Sequence, residues 1–149
     1  MGPLEDEGFE AAARKLRIML GIDDQLRPDM ITVVVKLKDH GMIDNYVRVP
    51  DEDMPDDEAF FDSETRLLYL RESTFCAASA MFTYNDGERR RARYTIAHEI
   101  GHIALRHDGV RYRGKSGSLA EEFVRKIHRQ EREAHKFAAA FLAPAHLAS

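Results

Sequence analysis

The chain has 149 residues, 44% of them hydrophobic and 32% charged, with a formal net charge of −4. That length allows one domain with a real core and is too short to expect two, and the composition is that of an ordinary globular protein. A negative total supplies no general field for neutralising phosphates, so direct nucleic-acid binding is not expected as the main task.

The N-terminus, "MGPLEDEGFE", is acidic and lacks an apolar segment, so no secretory signal is expected. "FEAAARKLRIMLG" reads as an amphipathic helix with Phe9, Ala12, Ala13, Leu16 and Leu20 on one side and Gly21 as its stop. "RPDMITVVVKLKDHG" has a β-branched run that suits a strand, but Pro28 before it and Gly41 after it favour a helix. "NYVRVP" then reads as a strand, "DEDMPDDE" as an acidic loop, and "AFFDSETRLLYLRE" as a hairpin turning at Asp62 to Thr65. "STFCAASAMFTY" predicts a small-residue helix, and "ERRRARYTIAHEIGHIALRH" a long one ended by "DG". After the polar loop "VRYRGKSG", Ser118 and Glu121 make a capping-box signature for a last helix running to about Leu142, before Pro144.

This order predicts a single α+β domain over 1–149. Its N-terminal helices span about 5–41, a small twisted sheet with a hairpin about 45–71, and a second helical part about 73–143. No run of about 18 apolar residues exists, so no membrane span is expected. The single cysteine, Cys76, rules out an intrachain disulfide and suggests a reducing compartment, hence the cytoplasm. Its apolar neighbours mark it as a buried packing residue rather than a nucleophile. Charge is unevenly spread: eight acids lie between Asp51 and Glu64, and thirteen of 22 Lys and Arg between Arg89 and Lys136. Two solvated surfaces of opposite sign, partly facing each other, account for this.

The chemistry concentrates in "RYTIAHEIGHIALRH". Four helical residues turn through about 400°, so His98 and His102 project from one face, and two imidazoles so placed can reach one Zn²⁺. Glu99 is rotated from His98 by about 100°. There it can touch a water held by the metal and act as general base, since zinc lowers the pKa of that water to about 7. The plain alternative is a helix that happens to carry two histidines. Against it, Ala97, Gly101 and Ala104 form a strip where another helix can approach closely, and Ile96, Ile100 and Ile103 form an apolar flank. Burial there would desolvate both imidazoles unless something satisfied them.

A catalytic zinc needs a third protein ligand and an open position. On the last helix, Phe123, Ile127, Ala134, Phe137, Ala138 and Phe141 form the expected buried stripe. Glu131 lies at its border, where a carboxylate needs a cation, and is the expected third ligand. Glu133 falls on the opposite flank and reads as a solvated charge, with support of a ligand from behind, or ligation in place of Glu131, as its other possible roles. His135, one turn past Glu131, could orient a ligand or bind the metal itself. Tyr112, His107 and Tyr94 are the candidate oxyanion donors. On a straight helix His107 points away from both ligands, as a cap or surface residue.

"RARYTIAHEIGHIALRH" and "EREAHKFAAAFLAP" together resemble the two characteristic blocks of the ImmA/IrrE family of zinc metallopeptidases, and the order of hairpin and helices resembles that family over most of the chain. The resemblance implies a zincin-like active-site helix, a C-terminal ligand helix, and the first glutamate of the second block, Glu131, as third ligand. His135 departs from the Asn or Asp usual there. A neutral histidine could accept the same hydrogen bond from a ligating imidazole, or could close the open position.

The resemblance further implies a site-specific endopeptidase that cuts a helix-turn-helix (XRE-type) repressor encoded nearby, using Zn²⁺, with Mn²⁺ also tolerated by such ligands. An extended substrate segment could add to the edge of the small sheet. Little chain follows the second block before Ser149, so any sensing is expected to use this domain or its partner. The alternative is a non-catalytic, zinc-stabilised regulatory module, or a toxin–antitoxin component acting by docking. Glu99 argues against it, because a structural site does not need that carboxylate. Direct DNA binding through Arg89, Arg90, Arg91 and Arg93 is weaker still. Those arginines are better placed to meet the acidic loop or a protein substrate. Oligomeric state has no signature in the sequence.

Overall fold

The computed structural model describes residues 6–107 and 118–147. Helix α1, Asp6–Met19, buries Phe9, Ala13, Leu16 and Arg17 and ends at Gly21, whose φ of +72° is left-handed. Helix α2, Met30–Asp39, settles the ambiguity of its β-branched run. Asp29 caps it, with Oδ1 accepting from Ile31 N at 2.9 Å and Thr32 N at 3.3 Å. Its face of Met30, Val33, Val34 and Leu37 is fully buried.

Strands β1 (Asn45–Val49), β2 (Ala59–Asp62) and β3 (Leu67–Arg71) form one sheet in the order β1-β3-β2. β2 and β3 are the expected hairpin, antiparallel, with Asp62 opposite Leu67. β1 joins β3 in parallel, from Asn45 opposite Leu67 to Val49 opposite Arg71. The arrangement leaves β2 at an edge, packed beside helix α4, with Leu68 and Leu70 of the central strand buried in the core.

Helix α3, Glu72–Ala78, is shorter than the sequence suggests. Ser79 takes an extended conformation (φ −78°, ψ 135°), and Met81 beyond it is 90% exposed. Cys76 is half-buried rather than buried. Its Sγ lies 3.6 Å from Glu72 Oε1, and burial, then the Glu72 charge, push the thiol up, away from nucleophilic use.

Helix α4 spans Asp86–Ala104, capped by Asn85, whose Oδ1 accepts from Glu88 N at 2.8 Å; helix α5 spans Ser118–Leu142. The loop "VRYRGKSG" and the Ser118 side chain of the expected capping box lie outside what is described. Gly101 is where α4 and α5 meet: a Cβ there would stand 3.0 Å from Ala134 O and 3.1 Å from Ala134 Cα. The small-residue strip therefore does what its pattern suggests. Below it, Ile96, Ala97, Ile100, Ala134, Phe137, Ala138 and Phe141 are closed to solvent, whereas Phe123 and Ile127, earlier on the α5 stripe, are only half-buried.

The far end of α5 is pinned by a residue the hydrophobic pattern does not reveal. Arg17 is wholly buried and donates to Phe141 O at 2.7 Å, to Ile22 O at 3.2 Å and to Gln25 O. A guanidinium is tolerated there because carbonyl oxygens in the last turn of α5 and in the segment after α1 accept from its two terminal nitrogens, although its Nε is buried with no hydrogen-bond partner among the described residues. Among the described residues, no helix is long and apolar enough to cross a membrane.

Candidate metal centre

Close packing at Gly101 sets the site, because it brings one turn of α5 opposite two turns of α4. His98 Nε2 lies 3.0 Å from Glu131 Oε2, and His102 Nε2 lies 2.9 Å from Glu131 Oε1. The imidazoles stand edge to face with centroids 4.8 Å apart. Their side chains are 17% and 14% exposed, against 46% for Glu131. A carboxylate oxygen of Glu99 comes within 4.8 Å of ligand atoms on both histidines. Contact with His102, then with His98, holds the Glu131 carboxyl well below the usual carboxylate range, so it is ionised.

These residues fit a divalent ion. His98 Nε2 is buried and makes no aligned hydrogen bond despite its nearness to Glu131. An orphaned buried acceptor or donor is costly, and a cation held by two imidazoles and a carboxylate removes that cost with donors that suit zinc.

One flank of the centre differs from the helical-wheel expectation. His107 is not a cap or surface residue: it is buried at 9% exposure, with Nδ1 2.8 Å from His102 Nδ1 and Nε2 2.9 Å from Glu133 Oε1. Glu133 accordingly is not a solvated charge, its side chain being 18% exposed. The wheel failed because α4 ends at Ala104. Arg106 then adopts φ +56°, and the 3.0 Å bond from His107 N to His102 O closes the turn. The chain reverses there, and His107 swings back under the helix it has just left.

On the other flank, His135 lies against the His98 ring, centroids 4.5 Å apart, and its Nδ1 is hydrogen bonded with the Tyr94 hydroxyl. Burial, and then the nearness of His98, lower the His135 pKa and keep it neutral; burial raises that of Tyr94, which stays a phenol. His98, Glu131 and His135 also have ligand atoms within 4.8 Å of one another. Of the three oxyanion candidates, Tyr94 and His107 border the cavity and Tyr112 lies outside the described residues.

All of the described ones but Glu133 line one cavity of about 630 Å³. Its far wall, which no sequence motif marks, is Asp56 to Phe61 and takes in most of edge strand β2. Glu58 ties this wall to α4, accepting from Thr95 Oγ1 at 3.0 Å and pairing with Arg91 at 2.7 Å. The acidic loop thus meets the arginine-rich helix, as their charges suggested. Arg89 donates to Ser79 O at 2.9 Å and to Phe82 O at 2.6 Å, and Arg93 donates to Pro28 O. These guanidiniums are engaged within the molecule.

The family model Peptidase_M78, described as the IrrE N-terminal-like domain, matches residues 47–148. No curated protein and no solved structure matches the chain.

Proposed function

Since the chain belongs to the Peptidase_M78 family, the IrrE N-terminal-like peptidases, and so acts on protein, we propose that it is a zinc-dependent endopeptidase that cuts a helix-turn-helix repressor encoded nearby. His98, His102 and Glu131 hold the ion, zinc or manganese. The observation that carries this reading is the convergence of both Nε2 atoms on the two oxygens of Glu131, at 3.0 and 2.9 Å, beside Glu99 in an open cavity.

When bound, the metal would polarise the scissile carbonyl and bring a water near neutrality in pKa. Glu99 accepts the proton of the attacking water and returns it to the leaving amine, a role worth about 10²–10⁴-fold. The Tyr94 hydroxyl, oriented by His135, donates to the oxyanion. His107 is less suited to that task, because its two ring nitrogens face His102 and Glu133. Edge strand β2 lines the same cavity, which supports an extended substrate segment pairing along it.

One observation favours a second reading, a docking module with a structural zinc. His135 is near enough to His98 and Glu131 to serve as a fourth ligand, which would close the open position. Substituting Glu99→Gln separates the two. The enzyme would keep zinc and repressor binding but lose cleavage, whereas a docking module would keep its regulatory activity.

A further inference from the structure

On the buried flank of the centre His102, His107 and Glu133 stand in line, each within hydrogen-bond distance of the next. Glu133 can only accept when ionised, so His107 carries its hydrogen on Nε2, 2.9 Å from Glu133 Oε1. A neutral His107 then presents a lone pair at Nδ1. The 2.8 Å contact between His107 Nδ1 and His102 Nδ1 therefore takes its hydrogen from His102. That leaves the His102 lone pair on Nε2, the atom facing Glu131 Oε1 at 2.9 Å. A hydrogen on Nε2 would serve Glu131 instead; with the hydrogen held at Nδ1, two acceptors face each other, an arrangement that a cation bound by both relieves.

We propose that Glu133 and His107 are positioning residues acting through His102: they select its Nδ1–H tautomer and aim its Nε2 lone pair at the metal position. This rests on the reading of His102 as a metal ligand. His98 has a different neighbour, the tilted ring of His135, so the device serves one of the two histidines. The parts come from separate elements. Glu133 stands on α5, and His107 reaches it because Arg106 in the left-handed region turns the chain back. Burial makes the arrangement effective, since with side-chain exposures of 6% and 18% water competes little for either group.

The test is zinc affinity by chelator competition in the full chain, wild type against His107→Leu and Glu133→Gln, together with ¹⁵N NMR of the His102 ring in metal-free protein. His107→Leu should weaken zinc binding by about 10–100-fold and shift metal-free His102 from Nδ1–H toward Nε2–H. Glu133→Gln should give a smaller loss, because its amide oxygen still accepts from His107. It also carries the test alone should the leucine variant not fold. Zinc binding that is tight in wild type and equal in the variants would overturn this inference and leave the peptidase reading standing, as would a wild-type His102 already in the Nε2–H form. A wild type that binds no zinc would overturn both.

Discussion

The two flanks of the histidine pair hold similar chemistry under opposite conditions. On one side Tyr94, 36% exposed, meets His135 at the cavity; on the other, His107 and Glu133 are covered, with side chains 6% and 18% exposed. Each flank sets an imidazole against a hydrogen-bonding partner. Exposure decides what that partnership can accomplish. A group at the open flank can touch substrate, whereas at the covered flank His107 borders the cavity with both ring nitrogens engaged and Glu133 lies behind it, so this pair acts through the histidine in front of it. Changes at the open flank should therefore alter turnover at constant metal affinity, and changes at the covered flank should alter metal affinity.

The sharpest break of that contrast is Glu99→Gln, between the flanks. Cleavage of the proposed repressor substrate should fall by about 10²–10⁴-fold with zinc content unchanged by elemental analysis. A metal-poor variant would instead make Glu99 part of the ion's support. Next comes Tyr94→Phe. Loss of an oxyanion donor should lower kcat by about 10²–10³-fold while zinc affinity stays at the wild-type value. An unaltered kcat would remove Tyr94 from the chemistry.

Beneath both flanks lies Gly101. In Gly101→Ala the new methyl group meets the Ala134 backbone at 3.0–3.1 Å, and backbone cannot swing aside. Overpacking of about 1–3 kcal/mol should outweigh the gain in helix propensity of about 1 kcal/mol. Urea unfolding should show a net loss, and zinc binding should weaken. A variant as stable as wild type would show that the helices can part freely. The smallest effect is expected from Arg106→Gly. Relief of left-handed strain, about 1 kcal/mol or more, is opposed by a chain-entropy cost of about 0.4–1 kcal/mol. Thermal unfolding should then move little, and upward. A clear drop in Tm would mean that the Arg106 side chain contributes more than its backbone strain costs.

What was legible in the sequence followed from periodicity. His98, Glu99 and His102 are set by helical spacing, Glu131 by its place at the border of the α5 stripe, and the helix contact by the strip through Gly101. The hairpin was legible from its turn residues around Asp62. The parallel pairing of β1 with β3 was not, because strand order depends on contacts distant in sequence. His107 and Glu133 were misplaced for a related reason: a wheel describes one unbroken helix, and their meeting requires α4 to stop at Ala104 and double back. Glu133 looked solvated because what covers it comes from another element. Arg17 was hidden likewise, since its buried carbonyl partners include Phe141, 124 residues away.

The central claim, that two turns of α4 and the rim of α5 share one ion, is tested most directly by the zinc content of the purified chain after dialysis against metal-free buffer. The account expects about one equivalent in wild type, as for a three-ligand catalytic site, and a loss of nearly all of it in Glu131→Ala. Wild-type protein without metal, or a Glu131→Ala variant that keeps the full equivalent, would contradict it.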